Sequence, residues 1–272
     1  AVWQRRWLEG DTLDGHLRYW QARLAGAPAA LEVPTDRRRP RMPSYTGAAE
    51  RFEVPAAVAN GVRAVGRSRG ATFYMTLLAA CKVLLASATG AHDIVVGATT
   101  AGRNRRQLED LVGFFVNPLA LRTDLFGDPS FADVVDRVRR TTVEAFDHQD
   151  APFDKVVERV RPPRDLSRNP VIQVAFEFQD HGPVPADLGG LVGCTDLGGP
   201  SGAEYGGRIS ARLDLELFVA EEGDGSLAGS LVYATELYDP ATAARLAESY
   251  RRLLEAVVTD PAAPLSTLGV SA

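Results

Sequence analysis

The stretch Gly113-Phe-Phe-Val-Asn-Pro-Leu-Ala-Leu-Arg122 decides how the rest of the sequence is interpreted. Residues 114–121 form a nearly continuous apolar run, rich in aromatic and branched side chains. Such a run is typical of a strand buried on both faces of a sheet, with a short core helix as the alternative. Asn117 needs hydrogen-bond partners if it is buried, and Pro118 cannot donate to a sheet ladder. The pair therefore predicts a bulge or a strand edge.

Composition places the chain among ordinary globular proteins. Of the 272 residues, 45% are apolar and 24% are charged, and the length allows one large or two small domains. The 30 basic and 35 acidic residues give a net charge of −5, which argues against nucleic acid or an anionic membrane as partner. Cys81 and Cys194 are too few for a disulfide framework, so the thiols favour a reduced, cytoplasmic setting.

The start of the sequence suggests a piece of a longer protein. The chain lacks an initiating Met, shows no signal peptide and opens inside a helical pattern. No apolar run approaches the length of a transmembrane helix. We therefore expect an excised segment.

Helical spacing and capping residues predict seven helical segments. Apolar side chains recur at helical spacing over 2–8 and 13–24, with a break at Gly10-Asp11 and a stop at Gly26. Further helices are predicted from Pro55 to Ser68, from the cap Thr72 to Ser87, from the cap Ser130 along 131–146, from Pro152 to Val160, and from Asp239-Pro240 to Asp260. The helix over 72–87 is apolar nearly all round, so it is expected in the core, with Cys81 as a packing residue.

Strands are predicted over 50–54, 93–98, 171–178, 208–219 and 227–233, the last two joined as a hairpin by Gly223-Asp-Gly225. Residues 34–43, with three prolines and four arginines, predict an extended and solvated connector. Residues 180–207 predict a long loop, with one more strand at 191–194. The alternation of helices and strands favours an α/β sandwich with a mainly central sheet.

Few motifs point to chemistry by themselves. The four histidines lie far apart in sequence, which makes a metal site improbable, and no Gly-rich phosphate loop or nucleophile elbow occurs. His148-Gln-Asp150 looks like an acid–base pair, but residues adjacent on a turn do not face each other, so His148 is interpreted as a helix-end residue. The segment 164–170, Arg-Asp-Leu-Ser-Arg-Asn-Pro, allows an anion clamp or a turn built on Asp165 and Ser167, with the turn favoured.

Three segments together resemble three late motifs of the condensation domains of nonribosomal peptide synthetases. We call them the first block (112–122, Val-Gly-Phe-Phe-Val-Asn-Pro-Leu-Ala-Leu-Arg), the second block (148–154, His-Gln-Asp-Ala-Pro-Phe-Asp) and the third block (164–170). Ala1-Val-Trp3 resembles the tail of a preceding motif, and the resemblance spans essentially the whole chain. Pro118 stands where the family often has Thr. The second and third blocks fit a condensation domain better than the related epimerisation domain.

The resemblance implies a chloramphenicol-acetyltransferase-like α/β sandwich, with a central mixed sheet, as one lobe of a two-lobe domain. Residues 1–33 are then crossover helices, and 34–272 the C-terminal lobe. The family's His-His-x-x-x-Asp-Gly motif is absent from this sequence, so no catalytic residue is expected in this chain and the chain alone is expected to be inactive. Residues implied to be structural or to line the tunnel are Trp3, Gly113, Phe115, Asn117, Arg122, His148, Gln149, Asp150, Arg164, Asp165, Ser167, Arg168 and Asn169.

The implied reaction joins a donor acyl thioester to the amine of an acceptor, both held on phosphopantetheine arms of carrier proteins. No tightly bound cofactor is implied. The implied partners are the N-terminal lobe, donor and acceptor carrier proteins and an adjacent adenylation domain, without nucleic acid or membrane. A non-catalytic carrier-protein docking module of the same fold is the alternative, and a free-standing acyltransferase is a weaker third hypothesis.

Three expectations follow from the missing lobe. Arg122, implied to pair with the Asp of the absent motif, should turn to solvent or find another acid. The loop over 180–207 should reach beyond its own lobe. The chain should either self-associate or bind a separately supplied N-terminal lobe, with Phe114, Phe115 and Arg122 at or just behind the contact.

Overall fold

The structure of this chain is a computed structural model, which describes residues 7–8, 10–103, 106–109, 111–179, 204–205 and 208–269. Its α-helices are α1 Asp11–Leu24, α2 Ala56–Ser68, α3 Phe73–Thr89, α4 Arg106–Glu109, α5 Phe131–Asp147, α6 Phe153–Val160 and α7 Pro240–Thr259. Its strands are β1 Thr46–Val54, β2 Asp93–Thr100, β3 Asn117–Asp124, β4 Val174–Gln179, β5 Glu204–Tyr205, β6 Arg208–Ser210, β7 Leu215–Glu221 and β8 Leu227–Ala234. Trp3, Cys194 and the strand predicted over 191–194 lie outside the described residues, as does most of the 180–207 loop with its expected reach beyond the lobe.

The strands form one mixed sheet in the order β3-β2-β4-β7-β8-β1-β6-β5. Strands β2, β4 and β7 are parallel neighbours, whereas the other adjacent pairs are antiparallel. The hairpin predicted at Gly223-Asp-Gly225 joins β7 to β8 in the register Leu217↔Leu231. The predicted α/β architecture with a central mixed sheet is therefore confirmed.

Helix α3 lies at the centre of the core, as its apolar sequence predicts. It packs against α2, α5, α7, β2 and β4, and the Thr72 side chain caps its first turn by accepting from the Met75 N–H at 3.2 Å. Cys81 is buried as a packing residue, and burial raises the pKa of its thiol to about 12. Lys82 is fully buried on the same helix, where its Nζ donates to the carbonyl oxygens of Leu121 at 2.5 Å and Ile94 at 3.3 Å. One charged group thus ties the central helix to β2 and β3.

The helix predicted over 2–8 lies almost entirely outside the described residues. The ends of the other predicted helices agree with the structure to within a few residues. Ser130 and Asp133 form the reciprocal cap of α5, and the Asp239-Pro240 pair begins α7. These ends are local, because a capping side chain bonds to a backbone N–H of its own first turn.

The prediction of a strand over 114–121 buried on both faces is correct only for its second half, where Leu119, Ala120 and Leu121 are all buried. Strand β3 begins at Asn117 and lies at the edge of the sheet, paired only with β2 among the described strands. The residues before it remain outside the sheet, and the Phe114 side chain is 90% exposed. Gly102 has a φ of 62°, and a Cβ there would lie 2.0 Å from the Phe115 carbonyl oxygen, so this segment folds tightly over the end of β2. The edge position predicted from Pro118 is confirmed.

The single strand predicted over 208–219 is also wrong. It is divided into β6, which pairs with β1, and β7, which lies between β4 and β8. Asp214 lies at the division, where its buried carboxylate accepts from Arg39, with one contact at 2.8 Å. A continuous alternation of apolar residues cannot reveal this break, because the partner of Asp214 lies 175 positions earlier.

The prediction that the connector over 34–43 is solvated is wrong for one of its arginines, the Arg39 that pairs with Asp214. The side chain of Arg39 is only 16% exposed because it pairs with Asp214, whereas Arg37 and Arg38 are exposed. The remainder of the segment has no helix or strand, as predicted.

Within the described part of the chain, no single helix is long and apolar enough to cross a bilayer. Helices α2 and α3 meet that criterion only when they are taken together, as a pair bent by 103°.

Candidate functional site

Asn117 joins the first block to the second. Its side-chain Nδ2 donates to the carbonyl oxygens of Gln149 and Ala151, both at 2.8 Å, and its Oδ1 accepts from the Phe153 N–H at 3.0 Å. The partners demanded by a half-buried amide are thus supplied by the loop between α5 and α6. Asn117 therefore positions the second block against the edge strand.

His148 ends α5, as predicted, with its N–H bonded to the carbonyl oxygens of Ala145 and Phe146. Its imidazole Nδ1 lies 3.0 Å from the Nδ1 of His16, and its ring stacks on Tyr19 at 4.0 Å between centroids. Its carbonyl oxygen accepts from the indole N–H of Trp20 at 3.0 Å. Burial and the neighbouring His16 lower the pKa of His148 below its usual value. The ring is consequently neutral at neutral pH and lies between α1 and α5.

The contact between His16 and His148 was missed from sequence because 132 positions separate the two residues. It does not extend to a metal centre: among the described residues, no group of three or more His, Cys, Asp or Glu side chains could hold a metal ion. Gln149 bonds within the same turn, its Nε2 donating to the Phe146 carbonyl oxygen at 2.9 Å. The second block is therefore a packing junction around the α5–α6 turn.

Arg122, the last residue of the first block, binds the carboxyl end of α1. Its guanidinium pairs with Asp93 at 2.7 Å and donates to the carbonyl oxygens of Arg23 at 3.0 Å and Ala25 at 2.7 Å. In return, Arg23 Nη2 donates to the Arg122 carbonyl oxygen at 2.9 Å. Cations favour the carboxyl end of a helix, where carbonyl groups are unpaired. Arg122 has thus found an acid in its own chain, one of the two outcomes expected for it.

The third block forms a turn, as favoured from sequence. The hydroxyl and N–H of Ser167 both donate to Asp165 Oδ1, at 2.6 and 2.9 Å. Arg168 pairs with Glu32 at 2.7 Å and with Asp165 at 2.9 Å, and Asn169 Nδ2 donates to the Arg212 carbonyl oxygen at 2.6 Å. This block therefore binds the segment before the connector and the link between β6 and β7, whereas the first two blocks bind each other.

A cavity of about 840 Å³ lies beside the third block. Its walls come from the segment before the connector, the end of α6 and the turn itself, and include Ala29, Glu32, Val157, Arg161, Arg164 and Leu166. Arg164 is exposed on this wall. The third block thus contributes a largely covered Arg168, whose side chain is 16% exposed, and an exposed Arg164.

Phe115 and Gly113 belong to a loop that is held by Arg103. The Arg103 guanidinium lies 4.6 Å from the centre of the Phe115 ring and donates to the Leu111 carbonyl oxygen at 2.7 Å. The loop leaves an apolar ridge on the surface, which consists of Leu111, Val112, Phe114 and Val116, exposed by 49, 104, 90 and 41%. We call these four side chains the 111–116 ridge.

The described polar side chains of the three blocks mainly hold backbone carbonyls, backbone N–H groups and one another. Such contacts rigidify a scaffold and orient the segments that carry them. The three blocks therefore form a structural support at the β3 edge of the sheet and around it.

Comparisons with known proteins agree with the motif blocks. The family model for the condensation domain matches residues 1–271. The chain is 42% identical over 268 residues to a linear gramicidin synthase of Brevibacillus parabrevis, covering 98% of this chain but 3% of that protein. Its fold is similar to the X-domain solved in complex with OxyB from teicoplanin biosynthesis, with a TM-score of 0.84 and 29% identity, over 99% of this chain and 59% of that one. It also matches a four-domain nonribosomal peptide synthetase bound to AMP and glycine, with a TM-score of 0.81 and 26% identity, over 94% of this chain and 20% of that one.

Proposed function

Because this chain belongs to the condensation-domain family of nonribosomal peptide synthetases, we propose that it is the C-terminal lobe of an amide-forming condensation domain. In this proposal the lobe helps join a carrier-bound donor acyl or peptidyl thioester to the amine of a carrier-bound acceptor. The family's His-His-x-x-x-Asp-Gly motif does not occur in this sequence. We propose that the motif is supplied by an N-terminal lobe and that this chain alone is inactive.

The observation that carries this proposal is that the polar side chains of the first block bind this chain, whereas most of the apolar side chains at its start are exposed. Its polar residues Asn117 and Arg122 bind the α5–α6 turn and α1 of the same chain, respectively. The 111–116 ridge, in contrast, is exposed. An apolar ridge on a rigid support is suited to contact with another protein surface. We assign this contact to the N-terminal lobe.

The domain limits form part of the same proposal. Residues 1–33 would be the crossover into the lobe and 34–272 the lobe itself. The described part of the crossover, α1, packs against α6 and is bonded to β3 through Arg122. The crossover would therefore follow any movement of the lobe.

Carrier proteins and an adenylation domain are the proposed further partners. The phosphopantetheine arms would bring both substrates to the interface between the lobes. Attack of an amine on a thioester mainly requires orientation of the two groups, removal of a proton and stabilisation of the developing oxyanion. This lobe would contribute orientation, and the other lobe the proton transfer.

Reconstitution tests the proposal directly. The chain is incubated with donor- and acceptor-loaded carrier proteins, with and without a separately produced N-terminal lobe, and the amide product is quantified by mass spectrometry. Amide is expected only when both lobes are present. A lobe in which the second histidine of its motif is replaced by Ala serves as the matched control.

A docking module without catalytic function is the second candidate. A protein of similar fold, the teicoplanin X-domain, was solved in complex with OxyB, so this fold also occurs as a binding platform. Carrier-protein binding without amide formation in the reconstituted mixture would favour this candidate and contradict the first.

A further inference from the structure

The backbone ladder between the parallel strands β2 and β4 is short. A single register pair, Gly97↔Ala175, joins them. Beyond it, β2 remains paired with β3 as far as Thr100↔Asn117, and β4 remains paired with β7 as far as Gln179↔Ala220. The backbone ladder between β2 and β4 therefore stops at this pair, and we call the region beyond it, between the carboxyl ends of the two strands, the opening. The carboxyl ends of parallel strands are where open α/β sheets commonly bind ligands.

Glu177 and Thr99 face each other across this opening. The Thr99 hydroxyl donates to Glu177 Oε1. This donor is neutral. The carboxylate is thus positioned by β2 without receiving a positive charge from it.

Glu177 lies on the face of the sheet opposite α3. Its neighbours in β4, Phe176 and Phe178, contact Tyr74 and Phe73 of that helix at 5.8 and 5.5 Å between ring centres. Because side chains alternate along a strand, Glu177 points to the other face. Its side chain is half-buried, while Thr99 remains exposed.

The charges around Glu177 leave it without a close cation. Arg212 acts favourably on the Glu177 carboxylate, but its Nη2 lies 2.8 Å from Glu216, a second acid that also acts on Glu177. Among the described residues, no Lys, Arg or His forms an ion pair with Glu177. Burial accordingly raises the pKa of Glu177. A half-buried carboxylate in this setting is stabilised by any cation that enters the opening.

We propose that the opening between β2 and β4 binds a primary ammonium group and that Glu177 is its anchor. An ammonium carries three donors and needs acceptors, which suits a carboxylate already oriented by Thr99. If the proposed function holds, on which this identification of the ligand rests, the ammonium is the α-amine of the aminoacyl acceptor. Glu177 is then a positioning residue for the acceptor.

Ligand binding to this chain tests the proposal. The probe is alanyl-pantetheine amide, a stable analogue of an aminoacyl thioester, and its N-acetylated form is the matched uncharged probe. Both are titrated into the wild-type chain and into Glu177→Gln, Thr99→Val and the exposed control Glu53→Gln, with binding followed by calorimetry. Wild type is expected to prefer the free amine over its acetylated form by about tenfold to a hundredfold, the range of a charge-assisted hydrogen bond.

Glu177→Gln is expected to abolish this preference while leaving binding of the acetylated probe unchanged, and Thr99→Val to reduce it. Glu53→Gln should behave as wild type. Equal affinity of wild type for both probes, a preference that survives in Glu177→Gln, or no binding of the amine to wild type would each overturn the proposal. Selective amine binding without amide formation on reconstitution would instead contradict the proposed function and leave this site in place.

Discussion

Asn117 is the residue on which the junction between the first two blocks depends most directly. It supplies three hydrogen bonds that no other residue type of its size can make in the same geometry, because the site needs two amide donors and one acceptor. An aspartate at this position would place a carboxylate against two carbonyl oxygens. The junction therefore explains why an amide interrupts an otherwise apolar stretch.

Replacing Asn117 by Ala is expected to lower the free energy of unfolding by about 2–4 kcal/mol, because three half-buried backbone groups lose their partners. Denaturant unfolding followed by circular dichroism measures this loss. Asn60→Ala is the matched control, since Asn60 accepts only from the neighbouring Arg63 on an exposed helix face. Equal effects of the two variants would contradict the proposed role of Asn117.

The buried Lys82 is expected to make the free energy of unfolding depend on pH. Burial lowers its pKa in the folded chain to about 7, from an ordinary value of 10.5. The unfolded chain consequently holds more protons than the folded chain between pH 7 and 10.5, so the free energy of unfolding rises with pH across this range. From pH 7 to 8.5 the expected increase is roughly 1–2 kcal/mol.

The variant Lys82→Met is expected to lose this rise, because Met has similar length and does not titrate. The measurement is urea unfolding of both proteins at pH 7, 7.5, 8 and 8.5. This window stays below the range in which the Cys81 thiol, with its pKa raised to about 12, makes stability fall with pH. The same slope in both proteins would show that Lys82 is not the titrating group.

At the scale of elements, the position of α1 depends on contacts with three other parts of the chain. Leu17, Trp20 and Leu24 bury its apolar face, His16 meets the end of α5, and Arg159 of α6 pairs with Asp14 at 2.8 Å. From β3, Arg122 reaches the carbonyl groups at the carboxyl end of the helix. Helix α1 is thus attached along its whole length.

Arg122→Met is expected to loosen the carboxyl end of α1, because Arg23 and Ala25 lose their donor and Asp93 its partner. The loss in stability should be roughly 2–3 kcal/mol, the range for hydrogen bonds to a charged group. Hydrogen exchange is the diagnostic measurement: amides of 18–25 should exchange faster, whereas those of α7 remain protected.

Arg18→Met provides the matched control, since Arg18 lies on α1 but is exposed and makes one 3.3 Å bond to the Asp14 carbonyl oxygen. It should leave exchange in α1 unchanged. A uniform loss of protection across α1 and α7 in Arg122→Met would show a global effect and would contradict the specific attachment.

For the whole molecule, the 111–116 ridge predicts association. Four adjacent exposed apolar side chains are more than isolated surface residues, and a partner would remove them from water. Analytical ultracentrifugation is expected to show self-association of the chain alone, or a complex with a supplied N-terminal lobe. Phe114→Ser should weaken either species without loss of stability, because the Phe114 side chain is 90% exposed. If the chain is monomeric and forms no complex with the N-terminal lobe, the two-lobe interpretation is contradicted.

Much of the local structure was determined by the sequence itself. Caps such as Thr72 and Ser130 bond within one helical turn, and an apolar helix such as α3 can only be buried. The turn of Asp165 and Ser167 was predictable for the same reason, since both partners lie two positions apart. The family followed from three ordered blocks, which no single block could have indicated.

The tertiary structure alone decided features that depend on distant partners. Phe114 leaves the predicted strand because Gly102 and Arg103 hold the following residue over the end of β2. The strand over 208–219 breaks where Asp214 meets Arg39, and His16 meets His148 only because α1 docks on the end of α5. Periodicity records which face of an element is apolar, whereas the choice of polar partner depends on which elements pack together. The opening beside Glu177 also depends on tertiary structure. The sequences of β2 and β4 do not indicate that the ladder between the two strands stops after one pair.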